Sequence, residues 1–146
     1  LALAADLVLA TRSAYFLLAF VNIGLVPDGG ASAFVPARAG HARAMEMTLL
    51  GERVGAEQAL EWGLVNRVVE DDALSAEAAA LTARLAKGPT KAYAAAKALL
   101  NRRLYAGLEE QLEAEAQAQA EQARSKDFVE GVTAFLQKRE PNFTGE

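Results

Sequence analysis

The sequence has no cysteine, so it can build neither a disulfide framework nor a thiolate metal site. It has one histidine, His41. That makes a Ser-His-Asp triad or a multi-histidine metal centre improbable. Basic residues form no long patch and the formal net charge is −4, which argues against general nucleic-acid binding. The apolar opening, residues 1–10, is interrupted by Asp6 and ended by Arg12. It is too short to cross a bilayer and lacks the basic leading region of a signal peptide. There is no internal repeat and no low-complexity linker.

What is present suits one domain with a modest core: 146 residues, 52% of them apolar, many being alanine. The chain opens inside an apolar segment, and such a segment needs neighbours to cover it. The expectation is therefore a piece cut from a larger chain. Residues 7–10 read as a short buried strand, and 15–21 as a strand or extended pocket wall. A helix is expected over 31–39, shortened or kinked by Pro36 and stopped at Gly40. Further helices follow over 41–50 and 55–62, then an extended stretch over 64–69. Beyond that the chain reads as helical, with Asp71 or Asp72 capping a helix to about Lys87. The next helices run from Pro89 to Tyr105, Leu108 to Arg124 and Ser125 to Arg139. On the third, Leu108, Leu112, Ala116 and Ala123 form the apolar stripe. On the last, Phe128, Val132, Phe135 and Leu136 point inward. The fold class is α/β, with a strand-bearing part over 1–70 and a helical part over 71–146. So few strands would leave open edges, which again points to strands upstream.

The organising stretch is 22–30, Asn-Ile-Gly-Leu-Val-Pro-Asp-Gly-Gly. From Ser13 to Pro27 the only ionisable side chain is Tyr15, and Asp28 is the only carboxylate between Asp6 and Glu46. A lone acid on a turn beside an apolar wall is a candidate for proton transfer, and burial there would raise its pKa. Pro-Asp-Gly is equally turn chemistry, and Asp28 can also cap the helix that follows.

Several stretches together resemble the C-terminal half of the crotonase (enoyl-CoA hydratase/isomerase) superfamily. They are Leu3-Ala4-Ala5-Asp6-Leu7-Val8-Leu9-Ala10, then Ala19-Phe20-Val21-Asn22-Ile23-Gly24-Leu25-Val26-Pro27-Asp28-Gly29-Gly30. Next come Leu50-Gly51-Glu52-Arg53, Ala59-Leu60-Glu61-Trp62-Gly63-Leu64-Val65, and Phe135-Leu136-Gln137-Lys138-Arg139-Glu140-Pro141. The resemblance implies the end of a spiral of ββα units followed by a helical trimerisation region. It implies a cytoplasmic homo-oligomer, trimer or hexamer, acting on an acyl-CoA thioester. No cofactor is implied beyond the CoA carried by the substrate, and no metal, nucleic-acid or membrane partner. The local phrase around Asp28 is most like isomerases of 2-(1,2-epoxy-1,2-dihydrophenyl)acetyl-CoA and related enoyl-CoA thioesters. In that group the aspartate matching Asp28 is the acid/base.

By the same resemblance, Phe16, Phe20 and Leu25 are apolar neighbours of Asp28 in the substrate pocket. Core packing is the competing reading of all three. Phe135 and Lys138 match a phenylalanine and a lysine that approach CoA. Lys138 with Arg139 also reads as a solvated helix end. Typical hydratases carry one glutamate where Phe20 stands, a second just upstream of Leu1, and glycine at Asp28. Phe20 cannot move a proton, so single-carboxylate isomerisation is favoured over hydration. The family's two oxyanion-hole N–H donors match positions upstream of Leu1, so the piece alone is expected to be inactive. A non-catalytic CoA-binding or assembly module is the alternative of a different class.

Overall fold

The computed structural model describes residues 1–146. The strands are short and lie in the first half. Strand β1 (Leu9–Thr11) pairs in parallel with β4 (Arg67–Val69), in the register Leu9 to Arg67 and Thr11 to Val69. Asn66 fixes this junction twice. Its Oδ1 accepts from the Val8 N–H at 2.8 Å, and its own N–H donates to the Val8 carbonyl at 2.8 Å. Strand β2 (Tyr15–Phe16) pairs antiparallel with β3 (Val54–Gly55). Of the stretch 15–21 only its first two residues are strand, because Ala19–Ile23 winds into a 3-10 turn closed by left-handed Gly24, while Phe16 to Leu18 and Phe20 do form a pocket wall.

Helix α1 (Ala31–Leu50) joins the two helices expected over 31–39 and 41–50. Its break falls at Gly40, whose φ of 79° and ψ of 165° leave the helical region, and not at Pro36. Helix α2 (Ala56–Glu61) follows β3. The core gathers Val8 and Ala10 with Val35, Ala44 and Met47 of α1, Val54, Ala56 and Ala59, and Leu64 and Val65. Arg38 ties the opening residues to α1, donating to the carbonyls of Leu3, at 3.1 Å, and of Ala5.

The second half is four helices: α3 (Leu74–Ala86), α4 (Thr90–Leu104), α5 (Leu108–Gln122) and α6 (Lys126–Gln137). Ser125 caps α6, its hydroxyl accepting from the Phe128 N–H at 3.0 Å. Asp71 does not cap α3. Its carboxylate is held instead by the backbone N–H and hydroxyl of Ser13, which lower its pKa from the ordinary carboxylate value. Helix α6 crosses the 19–23 turn at very close range. A Cβ on Gly131 would stand 2.6 Å from the Ile23 Cα, so only glycine fits there. Of the stripe expected on α6, Phe128 and Val132 are half-buried, whereas Phe135 and Leu136 are each 74% exposed.

Candidate active site

The turn at 27–30 is set by its glycines. Gly29 and Gly30 both hold positive φ, 62° and 83°, a region that costs other residues strain. The double left-handed step turns the chain from the Pro27–Asp28 segment straight into α1. It leaves Asp28 exposed at the edge of a cavity of about 320 Å³. The wall is made by Leu1 and Leu3, Phe16 to Leu18, Phe20, Phe34, Val35 and Met47, and Asp28 is the one ionisable side chain in it. The burial expected for Asp28 is not found, because the carboxylate sits on the turn rather than inside the apolar wall. It takes part in none of the ion pairs of the chain.

Asp28 does not cap α1 with its side chain either. Its carbonyl accepts from the Ala31 N–H at 3.1 Å, and its carboxylate turns to α5, where Gln119 Nε2 donates to Oδ2 at 3.1 Å. The capping carboxylate comes from α5. Glu115, only 5% exposed, accepts from the Gly30 N–H at 2.7 Å through Oε2. Through Oε1 it accepts from the Ser32 N–H at 2.9 Å and the Ser32 hydroxyl at 2.5 Å. A carboxylate there meets both the unpaired N–H groups and the positive end of the helix dipole. Gln111 adds a third rung, donating to Ser32 Oγ at 2.8 Å.

Sequence reasoning missed Glu115, Gln111 and Gln119. The apolar stripe assigned to α5 is not its buried face: Leu112 is 40% exposed, and Ala116 and Ala123 are exposed too. The signal that was available is the spacing of four from Gln111 to Glu115 to Gln119, which stacks them on one helix face.

Of the proposed pocket residues, Phe16 and Phe20 line the Asp28 cavity, and Phe16 also packs on the core. Leu25 does not. The 3-10 turn and left-handed Gly24 reverse the chain before it, and Leu25 lines a separate hollow with Val21, Gln122 and Ser125. Phe135 and Lys138 also lie apart from the cavity wall. Phe135 is an exposed side chain of α6, and Lys138 is the left-handed residue that ends that helix, at φ 54°.

A family model described as enoyl-CoA hydratase/isomerase matches residues 1–146. The chain belongs to the enoyl-CoA hydratase/isomerase family. Its α/β arrangement, poor in strands and helical in its second half, is that of the crotonase fold. The solved structure of an enoyl-CoA hydratase from Mycobacterium avium subsp. paratuberculosis superposes with a TM-score of 0.91 at 50% identity, covering 97% of this chain and 58% of that one. A protein named "Probable enoyl-CoA hydratase" from Rhodobacter capsulatus is 48% identical over 145 residues, 99% of this chain and 56% of the relative. The 1,2-epoxyphenylacetyl-CoA isomerase of Escherichia coli is 45% identical over 146 residues, 100% of this chain and 56% of the relative. The chain thus spans somewhat over half the length of these relatives, and their names include both a hydratase and an isomerase. No helix is long and apolar enough to cross a membrane.

Proposed function

We propose that the protein is an acyl-CoA isomerase that moves a double bond, or reopens an epoxide ring, by proton transfer through Asp28. One observation carries the reading: Asp28 is the only ionisable side chain in an otherwise apolar wall, and Phe20 shares that wall. Water addition by an acid pair needs two carboxyl groups. Isomerisation needs one, because a single carboxylate can remove a proton at one carbon and return one at another, exchanging it with solvent in between when it is exposed, as Asp28 is. In the double-bond case an Asp28 oxygen takes a proton from a carbon of the acyl chain. The C–H electron pair passes into the thioester as an enolate, whose oxygen needs hydrogen-bond donors. The carboxylic acid, its proton open to exchange with solvent, then gives a proton to a different carbon. No atom is gained or lost.

The apolar wall, with Phe16, Phe20 and Phe34, suits an acyl group rather than a charged one. The same reading makes the protein a homo-oligomer, trimer or hexamer, assembled through its helical second half. The exposed Leu99, Leu100 and Leu104 of α4 and Phe135 and Leu136 of α6 support that assembly. The name of the Rhodobacter capsulatus relative favours a second reading, enoyl-CoA hydration. Turnover of 2- and 3-enoyl-CoA by the full-length protein in ¹⁸O-labelled water separates the two. An isomerase yields a shifted double bond with no label, whereas a hydratase yields a labelled 3-hydroxyacyl-CoA. Labelled product without double-bond migration would overturn the isomerase reading.

A further inference from the structure

We propose that Gln119 is a positioning residue for Asp28, presenting its carboxylate to the cavity and serving it in both protonation states. The inference rests on the reading of Asp28 as the proton carrier. It goes beyond that reading by assigning a role to a helix that contributes nothing to the cavity wall.

Gln119 is brought to Asp28 by the packing of α5 against the start of α1. Gln111, Glu115 and Gln119 stand four apart on one face of α5 and meet Ser32, Gly30 with Ser32, and Asp28 in turn. The bonds of Glu115 to Gly30 and Ser32 set the register of the two helices, and Gln119 falls opposite the carboxylate one turn further on. Its Nε2 holds Asp28 Oδ2 at 3.1 Å, leaving Oδ1 for the substrate. Glu115 is the titratable group along this face, and both its oxygens are already engaged with backbone N–H groups.

An amide suits this place for a chemical reason. An ionised carboxylate only accepts hydrogen bonds, so Gln119 must face it with Nε2. With the proton on Oδ1, Oδ2 still accepts from Nε2; with the proton on Oδ2, the hydroxyl donates and its partner must accept. Gln119 Oε1 is buried and has no hydrogen-bond partner. Rotating the amide about its last bond brings this free acceptor to the carboxylic acid. A lysine or arginine offers donors but no acceptor, and a hydrophobic residue offers neither.

The test compares full-length wild type, Q119L, Q119E and D28N, measuring kcat and KM for enoyl-CoA isomerisation from about pH 5 to 9, with thermal melting alongside. Q119L is expected to lower kcat roughly tenfold through misplacement of the carboxylate, with KM changed less than about twofold. Q119E puts a second carboxylate beside Asp28. Like charges that close resist joint ionisation, so the acidic limb of the pH–rate profile is expected to move up by about one unit. That shift reports that position 119 faces Asp28, whereas a lowered kcat at little-changed KM in folded Q119L is what a merely structural role would not give. Wild-type kcat in folded Q119L, while D28N is inactive, would overturn the role of Gln119 and leave Asp28 standing. Full activity in D28N would instead overturn the reading beneath it. If Q119L does not fold, Q119M, which keeps the length of the side chain without its amide, takes its place with the same kcat and KM readout.

Discussion

Replacing Glu115 by alanine removes three hydrogen bonds at once from the start of α1, two from backbone N–H groups and one from the Ser32 hydroxyl. Gly30 is itself buried, so its N–H is left without a partner or water. An orphaned buried donor costs about 1–3 kcal/mol, and hydrogen bonds to a charged acceptor are the stronger kind. Losing a helix cap costs about 0.5–2 kcal/mol. Against these stands the relief of no longer burying a carboxylate, so a net loss of about 2–4 kcal/mol is expected. At about 2–4 °C per kcal/mol for a protein of this size, thermal unfolding of the full-length protein should fall by roughly 4–16 °C. Glu115→Gln keeps one acceptor oxygen but turns an NH₂ group toward a donor, so it should lose about half as much. Glu113→Ala is the control. Glu113 is an exposed residue of the same helix whose only side-chain bond is from Gln117, and its loss should stay within about 0.5 kcal/mol. If Glu115→Ala melted within about 2 °C of wild type, the capping of α1 from α5 would carry no weight in the fold.

Gly131→Ala ordinarily gains helix propensity. Here its Cβ would collide with the Ile23 backbone at 2.6 Å, so a loss of about 1–3 kcal/mol in urea unfolding is expected. Activity should fall with it, because the displaced 19–23 turn carries Phe20. Arg139 holds Glu130 in a two-pronged ion pair, and the Asn142 N–H adds a third contact. Together they lower the Glu130 carboxyl from 4.5 to about 2, with the Arg139 hydrogen bonds the main cause. The folded-state value is depressed, so the contribution to stability is complete above pH 4.5 and disappears as pH falls toward 2. NMR titration of Arg139→Gln should find the Glu130 midpoint moved upward. An unmoved midpoint would mean that Arg139 is not its cause.

Elements bounded by local chemistry were legible from residues alone. The start of α6 at Ser125 and the break in α1 at Gly40 were both expected. Asp28 stood out because its neighbours carry no charge. What could not be read was which distant groups meet. Asp71 and Asp28 both looked like caps, because an acid before a helix usually is one. The partners that draw them away, Ser13 and Gln119, lie far along the chain. In an alanine-, glutamine- and glutamate-rich helix such as α5, the apolar residues Leu108, Leu112, Ala116 and Ala123 draw the reading toward the wrong face. Only the fold shows that one glutamate of it is buried under the turn at 28–32. Leu25 was misplaced for a related reason: a single left-handed glycine reversed the chain just before it.

The most direct test of the account is solvent deuterium entering a 2- or 3-enoyl-CoA during turnover by the full-length protein, followed by mass spectrometry with and without Asp28→Asn. The account predicts that wild type exchanges protons and migrates the double bond. The asparagine variant, folded and still binding CoA, should do neither, with rates lower by at least about 10²-fold. Equal exchange and migration in both proteins would contradict it, and would leave Asp28 as a turn residue alone.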